Sequence, residues 1–86
     1  MPTVTLHAAH PTSLADPALA ALLRACAEET AEHHGITAPG VVVHDDHIEL
    51  TAEVPQAILL AIAAEVRRAT GRWHRQKHGI ALWRGE

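Results

Sequence analysis

Apolar and polar residues alternate from Thr3 to Ala8, with Val4, Leu6 and Ala8 on one side and Thr3, Thr5 and His7 on the other. A period of two predicts a half-buried strand. Turn-forming residues follow, His10-Pro11-Thr12-Ser13, and then Asp16-Pro17, an N-cap residue before a proline suited to the first helical position. The period now lengthens. Leu19, Leu22, Leu23, Cys26 and Thr30 fall on one helical stripe, Arg24, Glu28, Glu29 and Glu32 lie largely off it, and Gly35 stands where a helix ends. Two β-rich runs come next, Val41 to Asp45 and His47 to Val54, on either side of Asp45-Asp46. A two-residue turn pairs His44 with His47, Val43 with Ile48, Val42 with Glu49 and Val41 with Leu50. In that register Val41, Val43, Ile48, Leu50, Ala52 and Val54 share the inner face. Val42, His44, His47, Glu49, Thr51 and Glu53 share the outer one. A slip of one residue would exchange the faces.

Pro55 opens a second helix with the stripe Ile58, Leu59, Ile62, Val66, Ala69 and Trp73, which Gly71 ends or interrupts. Gly79 to Trp83 reads as a closing strand. The order is β-α-β-β-α-β. With right-handed β-α-β connections it predicts an α+β, ferredoxin-like sandwich: a four-stranded antiparallel sheet of order 4-1-3-2 with both helices on one face.

The chain has 86 residues, 48% of them apolar, which suits one domain over residues 1–86 with a thin core. It has neither Phe nor Tyr, so that core is aliphatic, and self-association is the natural supplement to it. A lone cysteine, Cys26, excludes an intrachain disulfide and reads as a packed core thiol. The N-terminus has no basic and apolar leader pattern, and the longest apolar stretch, Ala57 to Ala64, is too short to span a membrane. These features predict a cytoplasmic protein without a membrane partner. Arginine preferred over lysine, with abundant alanine, suggests a bacterial genome rich in G and C.

The predicted topology gathers chemistry that is scattered in sequence. His7 ends strand 1, His44 ends strand 2 and His47 begins strand 3, all at one end of the sheet on the face without helices, with His10, His74 and His78 expected around them. Imidazoles suit Zn²⁺, Ni²⁺, Co²⁺ and Cu²⁺, so His7, His44 and His47 are the candidate ligands of a divalent transition metal. A third ligand comes from His7, a carboxylate or a symmetry mate. The bland alternative is a set of solvated loop-tip histidines. The outer face also carries Val42, Thr51 and Trp83, the candidate interface of a homo-oligomer, and Leu60 is a second exposed apolar position.

The net charge of −3 conceals an asymmetry, because Arg67, Arg68, Arg72, Arg75, Lys77 and Arg84 all lie in the last twenty residues. Such a cluster can face nucleic acid or a ribosome; alternatively it decorates a helix C-terminus whose dipole favours cations. The sheet lacks the stacking aromatics of RNA-reading sheets, and there is no Gly-rich phosphate loop, Cys-x-x-Cys motif or Ser-His-Asp arrangement. Pro2 follows a methionine that is normally removed, which leaves a prolyl amine at the start of a strand. In Pro2 and the first β-α-β portion the chain resembles the tautomerase family, where such a proline is the catalytic base. The resemblance implies a small enzyme using Pro2, although the order of elements after residue 46 departs from that family's short repeat. Together these signals favour a self-associating binding or regulatory domain over an enzyme.

Overall fold

The computed structural model describes residues 1–85. Its elements are β1 (Thr3–His7), α1 (Pro17–His33), β2 (Gly40–Val43), β3 (His47–Thr51) and α2 (Gln56–His78). The sheet is three-stranded and antiparallel, in the order β1-β3-β2. The ferredoxin-like four-stranded sheet of order 4-1-3-2 is therefore not formed.

The reason lies in where α2 stops. Gly71 does not end the helix but sits buried within it, and α2 runs on to His78 before Gly79 caps it at φ 74°. Gly79 takes this left-handed conformation at little cost and donates its N–H to Arg75. After this cap the tail crosses the end of β1 instead of running along it. The tail touches only the last turn of that strand, through one bridge between Ala8 and Trp83. Ala9 N–H donates to Leu82 O at 2.9 Å, and Arg84 N–H to His7 O at 2.8 Å. Burial in the tail does not alternate as a strand requires, since Leu82 and Trp83 are consecutive and both buried while Ile80 is 51% exposed.

The hairpin register is the one that the alternation predicts, with Val41 opposite Leu50, Val42 opposite Glu49 and Val43 opposite Ile48. Its turn differs. No residue other than glycine has positive φ among the described residues, so Asp45-Asp46 does not form the primed turn that two-residue hairpins favour. Tertiary bonds hold it instead: Asp45 O accepts from Leu14 N–H and Asp46 O from Ala8 N–H.

The start and stop of α1 follow local chemistry. Asp16 Oδ1 accepts from Ala18 N–H at 2.9 Å, with Pro17 opening α1. At the other end Ile36 N–H reaches Ala31 O and Gly35 N–H reaches Glu32 O, the paired bonds of a Schellman motif. The core lies between the helices and one sheet face, where Leu19, Leu23, Ile48, Leu50, Leu59, Ile62 and Val66 are buried. Each helix buries a stripe turned slightly from the expected one. In α1, Ala27 and Ala31 are buried while Leu22 and Cys26 lie at the margin. In α2, Thr70 and His74 take the inward positions in place of Ala69 and Trp73.

Those two polar residues are satisfied where they sit. Thr70 Oγ1 donates to Val66 O and accepts from Trp83 Nε1 at 3.0 Å. The Nδ1 of His74 bonds Ile80 O at 3.1 Å. Both bonds tie the tail onto α2. Trp83, expected on the open face, is instead a core residue at 1% exposure, because its indole finds an apolar bed and a polar partner together under the helix.

Candidate metal site on the open sheet face

Strand register places the site. His7 and His47 are direct partners across β1 and β3. The N–H of His44 donates to His47 O at 2.8 Å, closing the hairpin. The three imidazoles thus form a row across three adjacent chain segments, on the face opposite the buried Ile48 and Leu50. His44 and His47 stack, with ring centroids 4.1 Å apart and planes 15° from parallel. His7 lies 5.9 Å from His47, tilted by 37°.

A carboxylate joins them. Glu49 lies two residues beyond His47 on the same face of β3, and its carboxylate approaches the Nε2 atoms of both rings. One oxygen is 3.6 Å from His44 Nε2 and the other is 4.0 Å from His47 Nε2. One donor atom each from His44, His47 and Glu49 fall within 4.8 Å of one another, the group of donors among the described residues with the spacing of a metal site. Ligands of a tetrahedral ion with bonds of about 2.0–2.2 Å stand about 3.3–3.6 Å apart. The His44–Glu49 separation already matches. The His47–Glu49 separation, at 4.0 Å, is somewhat longer.

Asp46 prepares His47 for that role. Its Oδ1 accepts a hydrogen bond from His47 Nδ1 at 2.6 Å, and Nε2 stands on the Glu49 side of the ring. A carboxylate behind a ligating histidine orients the ring and raises its basicity. The same hydrogen bond, ahead of the weak opposing effect of desolvation, holds the Asp46 carboxyl below its ordinary range.

The other predicted residues are distributed differently. His74 and His78 do not join the sheet histidines. They pair with each other at 4.6 Å and with Trp73, in a cleft between the start of α1 and the end of α2. His10 lies in the exposed turn after β1, and His34 bonds Glu65 at 3.1 Å. Of the candidate interface, Val42 is 51% exposed beside Glu49 and Thr51 is half-buried opposite Thr3, but Trp83 has left the face for the core. The basic residues also divide. Arg67, Arg68, Arg72 and Arg75 line one groove on α2, Lys77 lies over Trp73 with Nζ 5.1 Å from the ring, and Arg84 contributes its carbonyl to Arg67. Pro2 sits at the start of β1, the opposite end of the sheet from the histidines, its carbonyl accepting from Ala52 N–H.

Histidine richness did not point to Glu49. The signal for it was the spacing of two from His47 on a strand, which puts both side chains on one face. No helix of the described chain is long and apolar enough to cross a membrane. No protein-family model, curated protein or solved structure matches the chain.

Proposed function

We propose that this is a metal-binding domain that takes one divalent transition ion on its open sheet face. His44, His47 and Glu49 are the ligands, and His7 is the neighbour nearest the fourth position. The observation that carries the reading is the convergence of two imidazole nitrogens and a carboxylate within 4.8 Å, with Asp46 already bonded to the far nitrogen of His47. Two imidazoles and one carboxylate select Zn²⁺, Ni²⁺, Co²⁺ or Cu²⁺ over Ca²⁺ and Mg²⁺, which prefer all-oxygen shells. The same face is where we place self-association, around the half-exposed Val42 and Thr51.

Equilibrium dialysis against each of the four ions, read by elemental analysis, tests the site. One tightly held ion per chain is expected. It is lost in His44→Ala and in His47→Ala and weakened in Glu49→Gln, while His10→Ala and His33→Ala leave it intact. Circular dichroism verifies the fold of each variant. Unchanged affinity in the His44→Ala/His47→Ala protein would falsify the proposal. Sedimentation with and without the bound ion measures self-association.

A further inference from the structure

The basic residues of α2 have an arrangement that helix electrostatics does not explain. After Glu65 the helix carries no acid through to His78, and Arg67, Arg68, Arg72 and Arg75 border one shallow groove of about 770 Å³ with Gly71 in its floor. Among the described residues every ion pair joins a histidine to a carboxylate. The guanidinium groups are therefore not neutralised there. Arg67 is held by a neutral partner, its Nη2 donating to Arg84 O at 2.8 Å, and the nearby Glu65 is engaged by His34.

Cations near a helix C-terminus complement its dipole, but that effect fades beyond the last turn. It accounts for Arg75, Lys77 and His78. Arg68 stands about 15 Å from the end of α2, at a rise of about 1.5 Å per residue, and Arg67 farther still. Arg68 with Arg72, and Arg72 with Arg75, are also like-charge pairs at spacings that weaken a helix. The helix bears this repulsion on an exposed face where a bound polyanion would relieve it.

We propose that the arginine face of α2 docks on the backbone of duplex nucleic acid, through phosphate contacts and without reading base sequence. Arginine presents a planar fork that matches phosphate oxygens in pairs. Arg68, Arg72 and Arg75 spread over about 10 Å of helix axis and offer three guanidinium forks to a run of phosphates. The chemistry of the face selects the duplex over other polyanions. No aromatic residue borders this groove, since Trp73 lines the cleft on another side of α2, and single-strand binding depends on aromatic stacking. The groove also lacks the large apolar residues that a membrane-surface helix inserts.

Fluorescence anisotropy with a labelled mixed-sequence DNA duplex of about twenty base pairs tests this. With three phosphates neutralised, affinity should fall roughly 40-fold between 50 and 200 mM salt. Unlabelled duplexes of unrelated sequence should compete equally. The Arg68→Gln/Arg72→Gln/Arg75→Gln protein changes only exposed side chains, so it should keep its circular dichroism spectrum and lose binding by at least tenfold. His44→Ala/His47→Ala should bind as the parent does, which separates this surface from the metal site. Absence of binding at 50 mM salt, indifference to salt, or full binding by the triple variant would overturn the proposal. So would phosphatidylserine vesicles outcompeting the duplex.

Discussion

Replacing Thr70 by valine tests how the tail is held where a fourth strand does not form. The two side chains have nearly the same shape, so packing changes little. What disappears is the acceptor for Trp83 Nε1, at 3.0 Å in a buried setting. Val66 O loses the Thr70 hydroxyl but keeps its place in the helix ladder, so the cost concentrates on the indole N–H. Leaving a buried donor without its acceptor costs about 1–3 kcal/mol. Against a total of about 5–15 kcal/mol for a domain of this kind, that is a large fraction. Taking about 2 kcal/mol, and roughly 4–8 °C per kcal/mol at this chain length, the melting temperature should fall by roughly 8–16 °C. Urea unfolding followed by circular dichroism gives the free energy, and the indole N–H resonance of Trp83 reports the bond directly. Thr70→Ser should recover most of the loss. Combining Thr70→Val with Trp83→Phe should cost less than the sum of the single changes, because both polar partners are then gone. A Thr70→Val protein that unfolds within about 0.3 kcal/mol of the parent, with an unshifted indole resonance, would refute the argument.

Four further outcomes follow from other contacts in the structure. Asp46→Asn should weaken metal binding about 10–100-fold while keeping the stoichiometry, measured by competition with a chelating dye, because His47 loses its orienting carboxylate. The lowered Asp46 carboxyl also gives a sign: its contribution to stability is present above the ordinary value of 3.8 and is lost as pH falls through the lower folded value, so in acid melts the Asn variant should show a smaller loss there. Asp16→Ala removes the cap on α1 and should cost about 0.5–2 kcal/mol in urea unfolding, with Asp16→Asn near the parent. Burial pushes the Cys26 thiol above its ordinary value, Glu29 adds to this and a Thr30 hydrogen bond opposes it. Alkylation at pH 7.5 should therefore be slow in the folded protein and speed up sharply in urea; equal rates in both would show the thiol to be unprotected.

How much of this was legible beforehand depends on the range over which each interaction acts. The Asp16-Pro17 start of α1 and the Gly35 stop are decided by neighbours a few positions away, and composition reveals them. The hairpin register answers to the two-residue alternation, since a slip of one residue would bury Glu49 and expose Leu50. That register sets His44 beside His47, whereas His7 reaches them only through the pairing of β1 with β3. It could not show that the Glu49 carboxylate joins them, because side-chain direction on an open face depends on what stands beside it. Nor could it show that Asp46 turns to His47 while Asp45 offers its carbonyl to Leu14, a choice made by the packing of the loop after β1. The end of the chain was the least legible part. A buried glycine in α2, a threonine and a histidine facing inward and a tryptophan folded beneath them follow no local period. By itself the sequence determined the first three strands, the caps of α1 and the hairpin register, because these answer to near neighbours. Only the tertiary structure decided that the tail is an anchor rather than a strand, because that depended on how far α2 ran and on where an indole could be both buried and bonded.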